Sequence, residues 1–144
     1  MNNQKNIVLC GVGGQGIVLA SKLLAAAAMS KDIPVMSAET IGMAQRGGSV
    51  FSHLRIGDNL YSPMIETGTA DLIIGFEPGE TVRMLPYLKD HGHIVVSTRA
   101  VKPVTATLSG SDYDAPQMLE YLKAAVPNLT LVNADQACAD IGSS

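Results

Sequence analysis

Hydrophobic positions along the chain come in short runs separated by glycine and polar residues. "NIVLCGV" (6–12) is a continuous apolar run that predicts a strand buried on both faces. Residues 15–30 are rich in alanine and leucine and apolar nearly all round, with Gln15 and Lys22 the main polar positions. They predict a well-buried helix. "DIPVMSAE" (32–39) reads as a second strand, with Pro34 at its start where no ladder bond is lost. "VFSHLRIG" (50–57) alternates, with Val50, Ser52, Leu54 and Ile56 on one face and Phe51, His53 and Arg55 on the other. That pattern predicts a strand with one wetter face and places His53 at a surface or an interface. "LYSPMIETG" (60–68) is irregular or edge-like.

The second half repeats the alternation. "ADLIIGFE" (70–77) predicts a buried strand, and "PGETVRMLPYLKDHG" (78–92) a helix interrupted or kinked at Pro86. His91 and His93 flank Gly92 in an exposed turn, "HIVVST" (93–98) and "VTATL" (104–108) are strands, and "DAPQMLEYLKAAV" (114–126) is an amphipathic helix starting near Asp114. "LTLVNA" (129–134) is the last strand. Strands alternating with helices predict an α/β fold, a three-layer α/β/α Rossmann-like sandwich with a largely parallel sheet. Residues 50–62 add an antiparallel piece. Residues 1–144 form one domain, and the stop soon after a strand leads us to expect that a C-terminal element is lacking.

Composition narrows the function. Hydrophobic residues make up 47% and charged residues 16%, under the usual quarter, so part of the surface is expected to lie against another chain. The net charge of -3, with scattered basic residues, argues against a nucleic-acid partner. Cys10 and Cys138 stand far apart without any CxxC, so no zinc or iron–sulfur site is built from this chain and no metal is expected. The same cysteine usage, with neither an export signal nor a membrane span, makes the cytoplasm the expected setting.

Gly11, Gly13 and Gly16, with Gly14 and Gln15 between them, satisfy G-x-G-x-x-G in a strand–loop–helix context. Such a loop offers a tight turn, a close backbone approach for a phosphate and the positive end of a helix. Glu39 follows 23 residues after Gly16, roughly where an acid that binds a ribose would sit. NAD, another anionic ligand and a purely structural turn all remain open on these residues.

A second stretch is more specific. "AETIGMAQRGGSVFSHLRIG", read with "CGVGGQGIVLASKLLAAAA", closely resembles the gamma-type domain of the 2-oxoacid:ferredoxin oxidoreductases. The form "GMAQRGGSV" looks like that of the beta subunits of indolepyruvate:ferredoxin oxidoreductases. The resemblance is strong from about residue 6 to 100 and looser beyond. It implies an accessory subunit of an enzyme that turns an aryl pyruvate, coenzyme A and oxidised ferredoxin into an aryl-acetyl-CoA, carbon dioxide and reduced ferredoxin. Thiamine diphosphate and [4Fe-4S] clusters would then belong to a large alpha-subunit partner, with ferredoxin reached through the complex and the isolated chain inactive.

Arg46 with Gly47, Gly48 and Ser49 is chemically suited to an anion, through a guanidinium fork, exposed backbone N–H groups and a hydroxyl, and Gln45 and His53 can add neutral hydrogen bonds. The two glycine loops are expected to line one crevice at the carboxyl ends of the strands, taking the phosphates of coenzyme A or closing over the partner's site. Arg46 is equally open to pairing with an acidic group of the partner, and Met43 to packing at the interface. No nucleophile–base pair is present, so no catalytic residue is assigned. Two alternatives stand beside this reading: an NAD-linked dehydrogenase-like domain, and a non-catalytic nucleotide-binding scaffold.

Overall fold

The computed structural model describes residues 3–41, 47–102, 108–110 and 112–142. Among the described residues the elements follow one another as β1 (Lys5–Val12), α1 (Ile17–Met29), β2 (Val35–Ile41), β3 (Ser49–Ile56), β4 (Ala70–Gly75), α2 (Pro78–Arg83), β5 (Leu88–Ser97), α3 (Ala115–Ala125), β6 (Leu129–Val132) and α4 (Ala134–Asp140). The strand expected over 104–108 lies, Leu108 apart, outside the described residues.

The strands form one sheet in the order β2-β3-β1-β4-β5-β6. β1, β4, β5 and β6 run parallel, while β3 is antiparallel to both β1 and β2. β1 is buried on both faces, as its unbroken apolar run requires: Val8 and Cys10 point into one core and Leu9 into the other. The first core joins them to Ile73, Ile94 and Val96 under Met84, which caps α2, and Leu122 of α3. The second joins Leu9 to Val50, Leu54 and Ile17 of α1. Helices therefore cover both faces of the sheet, giving the three layers.

Three local expectations need correction. α1 is not well buried. Ile17, Ser21 and Ala28 reach the interior, but Leu19, Leu23 and Met29 are 62–64% exposed because a single helix turns only one side to a sheet. The 78–92 helix is short: it ends at Arg83, continues as a 3-10 turn over Leu85–Tyr87 and gives way to β5 already at Leu88. Pro86 removes a helical donor and disfavours helix at the residue before it. His91 and His93 are exposed as expected, but they lie in β5, His91 at φ 62.

The face of β3 that carries Phe51, His53 and Arg55 is not wet. The 57–69 segment folds back over it, and His53 is fully buried, its Nδ1 accepting the Ile65 N–H at 2.9 Å between the rings of Phe51 and Tyr87. Burial holds its pKa below the ordinary histidine value. His53 is a neutral core residue, with its proton on Nε2 because Nδ1 is the acceptor.

Candidate functional site

The carboxyl ends of β1, β2, β4 and β5 and the beginning of β3 meet at one edge of the sheet, and both glycine loops are there. They are joined backbone to backbone: the Gly13 N–H donates to the Gly48 carbonyl at 2.7 Å, and the Gly47 N–H donates to the Gly13 carbonyl at 3.2 Å. The pairing extends the antiparallel β1–β3 ladder, whose last rung is Val12 with Ser49. Gln45, Arg46 and Met43 lie outside the described residues.

Each glycine has a separate job. Gly11 belongs to β1, and a Cβ there would come within 2.9 Å of Phe76 and Ile17 and 2.7 Å of Gln15, so it serves close packing rather than a turn. Gly13 has both backbone polar groups engaged with the second loop, which removes its N–H from any ligand. Gly14 and Gly16 make the turn, at φ 99 and 86, where side chains other than glycine are strained, and both are exposed with open space around them.

Among the described residues, the polar side chains of the loops are also committed. Gln15 accepts the Val12 N–H at 2.8 Å and donates to the Phe76 carbonyl at 3.2 Å, tying the first loop to the end of β4. Ser49 donates to Glu80 at 2.5 Å, so its hydroxyl proton is not free for an anion. Glu39 is exposed on β2, at the margin of the sheet, opposite Ser52 of β3. Because β3 stands between β2 and β1, Glu39 is two strand spacings, about 10 Å, from the strand that leads into the glycine loop. It is not brought to the loop, and the Rossmann position for a ribose-binding acid does not form.

What the loops leave open is the N-terminus of α1. Gly16 caps it without a side-chain hydrogen bond, and the ladder begins with the Ala20 N–H on the Gly16 carbonyl, so the N–H groups of the first turn have no side-chain cap. They adjoin a cavity of about 450 Å3 lined by Gly13, Gly14, Gly16, Val18, Leu19 and Val50, among others. Oriented donors above apolar walls suit a ligand with an anionic head and an apolar stem.

Beneath the loops lies a carboxyl pair that does not stand out in the sequence. Glu77 is fully buried and caps α2, accepting the Glu80 N–H at 2.9 Å. Burial pushes its carboxyl up to about 7; backbone N–H groups of Glu80, Gly79 and Val101 pull it down, while the Glu80 carboxylate adds to the rise. Cys10 faces the same corner with its Sγ 3.9 Å from Thr81 Oγ1, and burial pushes the thiol up to about 12, which makes it inert at neutral pH. The only legible hint was an N-cap acid before proline in "FEPGE".

At the other end of the sheet a polar cavity of about 720 Å3 contains Arg55, Asp71 and Lys89. Lys89 pairs with Asp71, and Arg55 donates to the neutral acceptors of Asn6, Ser62 and Gln4; Lys5 and Glu66 complete the charged lining.

The fold and site define an α/β domain of the glycine-loop kind, with two paired loops at the carboxyl ends of its parallel strands. The family model for pyruvate ferredoxin/flavodoxin oxidoreductase matches residues 6–144. Indolepyruvate oxidoreductase subunit IorB of Archaeoglobus fulgidus is 40% identical over 139 residues, 96% of this chain and 69% of that protein. Pyruvate oxidoreductase subunit PORC of Thermotoga maritima superposes with a TM-score of 0.64 at 21% identity, over 97% of this chain and 68% of that one. A 2-oxoglutarate:ferredoxin oxidoreductase from Magnetococcus marinus gives 0.68 at 16% identity, covering 99% of this chain and 22% of that one. These structural likenesses carry the fold. The chain belongs to the pyruvate ferredoxin/flavodoxin oxidoreductase family. Within that family it is an accessory subunit of a 2-oxoacid:ferredoxin oxidoreductase.

Proposed function

We propose that this single gamma-type domain serves an indolepyruvate-type oxidoreductase and supplies the binding site for the phosphates of coenzyme A. The observation that carries the site is the uncapped N-terminus of α1 opening on a mostly apolar cavity beside the paired glycine loops. Coenzyme A is a ligand of that kind, with phosphates for the helix N-terminus and a pantetheine arm whose gem-dimethyl and methylene groups can lie along apolar walls. Arg46 is next in sequence to the paired Gly47, and its guanidinium is chemically suited to a phosphate. The aryl-pyruvate preference follows the relatives named for indolepyruvate.

Two cysteines, one of them buried and inert, do not make a four-cysteine cluster, so the [4Fe-4S] clusters are assigned to a large alpha subunit that passes electrons to ferredoxin, and thiamine diphosphate is placed there by the family resemblance. On this reading the isolated chain is inactive and, with two free thiols, works in the cytoplasm.

The test is purification of the tagged chain from its native cell under anaerobic conditions, followed by assay of coenzyme A-dependent dye reduction with indolepyruvate. A co-purifying large subunit and that activity are expected. In the assembled complex, Arg46→Ala is expected to raise the KM for coenzyme A about tenfold, the loss of one charge-assisted contact. An unchanged KM removes Arg46 from the site.

The apolar outer side of α1 is the surface we assign to the larger partner. Leu23→Glu is expected to change the isolated chain's stability by no more than about 0.5 kcal/mol, since the side chain is 62% exposed. The same variant should no longer co-purify with the large subunit; retention at the wild-type level would move the interface elsewhere.

A further inference from the structure

We propose that Glu80 is a positioning residue, which holds the second glycine loop in register with the first by acting through Ser49. The link to coenzyme binding rests on the function proposed above; the positioning does not.

Among the described residues the two loops meet through the backbones of Gly13, Gly47 and Gly48 in the hydrogen bonds described, and glycines have no side chains with which to hold a place. The adjacent side chain, Ser49, reaches across to α2 and donates to Glu80 Oε2 at 2.5 Å. Glu80 is poised to receive it: its side chain is 3% exposed, and its other oxygen lies 3.5 Å from the Arg83 guanidinium. A hydroxyl donating to a carboxylate is a stronger restraint than a neutral pair.

Glu80 is itself immobilised. Its N–H is held by Glu77, and the Thr81 N–H and hydroxyl both donate to the Glu77 carbonyl, at 3.1 and 2.7 Å. The first loop is referenced to the same place, because Gln15 donates to the carbonyl of Phe76, one residue before Glu77. Both loops are thus anchored on the β4–α2 corner, the first through Gln15 and the second through Ser49. The distance between the loops is set there, away from any ligand.

Backbone amide exchange in the full chain tests this directly. Glu80→Ala and Ser49→Ala are each expected to speed exchange at Gly13 and Gly47 about tenfold or more, while Leu9 and Ile73 in the central strands keep their rates. Glu80→Gln retains an acceptor oxygen and should stay within about threefold of wild type. Unchanged rates at Gly13 and Gly47 overturn the proposal. So does an acceleration shared equally by Leu9 and Ile73, which is loss of global stability rather than of register. If Glu80→Ala does not fold, Ser49→Ala decides by the same rates. In the assembled complex, Glu80→Ala should raise the KM for coenzyme A about tenfold with kcat within about twofold. Faster exchange at the loop amides with an unmoved KM leaves the positioning role standing and removes coenzyme A from the loops.

Discussion

Replacing Gly75 by alanine is expected to destabilise the chain by about 3 kcal/mol, at the upper end of what overpacking a core does. Gly75 ends β4, and a Cβ there would stand 1.8 Å from Thr81 Oγ1 and 2.9 Å from Thr81 Cβ. Thr81 cannot swing aside. It is fully buried, its branched side chain has few rotamers in a helix, and its hydroxyl donates to the Glu77 carbonyl at 2.7 Å. The methyl group must either force α2 away from the sheet or break that bond. In a domain of this size the change corresponds to a fall in Tm of roughly 10 °C, read by thermal unfolding followed by circular dichroism. A Gly75→Ala chain within about 1 kcal/mol of wild type would show that the β4–α2 corner yields. The anchoring assigned to that corner would then fail with it.

The second large effect is on the pH dependence of stability. Glu77 has a carboxyl pKa raised by burial from 4.5 to about 7. Between those values the folded chain holds a proton that the unfolded chain has released, so stability decreases as pH rises through this window. The full contribution is present below about 4.5 and lost above about 7, and the shift corresponds to about 3 kcal/mol as an order of magnitude. His53 acts in the opposite sense. Its pKa is lowered by burial, so its contribution is complete above 6.5 and is lost as pH falls below it. The two overlap in the wild-type curve, and the difference between wild type and Glu77→Gln isolates the carboxyl. Urea unfolding at pH 5 and pH 8 should show the variant gaining on wild type by about 2 to 3 kcal/mol at the higher pH. A constant difference across that range would mean that Glu77 is already ionised in the native chain.

Much of the fold was legible because strand and helix periodicity record burial directly. The β1 run, the Asp114 cap of α3 and the short β6 lie where their patterns place them. Chemistry at the glycine loops was legible only as residue type. G-x-G-x-x-G identifies a tight turn before a helix, yet Gly11 packs, Gly13 pairs with the second loop and only Gly14 and Gly16 turn. Ser49 has the chemistry of an anion donor, and its one proton is spent on Glu80. These assignments depend on which backbone lies opposite, and that is a long-range fact.

His53 shows the same limit. Alternation along 50–57 separates the two faces of β3 correctly, with Val50 and Leu54 against α1, but does not say what covers the other side. An irregular segment without periodicity of its own does so, and it turns an expected surface histidine into a core residue. Glu77 and Glu80 lay hidden for a related reason, since carboxylates next to a proline and a glycine read as a solvated helix start. The sequence by itself determined the class of fold, the two loops and the family resemblance, because each is encoded by neighbouring residues. Tertiary structure alone decided that β3 enters between β1 and β2, that Glu39 is thereby carried away from the glycine loop, and that a buried acid pair stands behind Ser49. Strand order and burial of charge are set by packing between residues far apart in the chain, where no local pattern reaches.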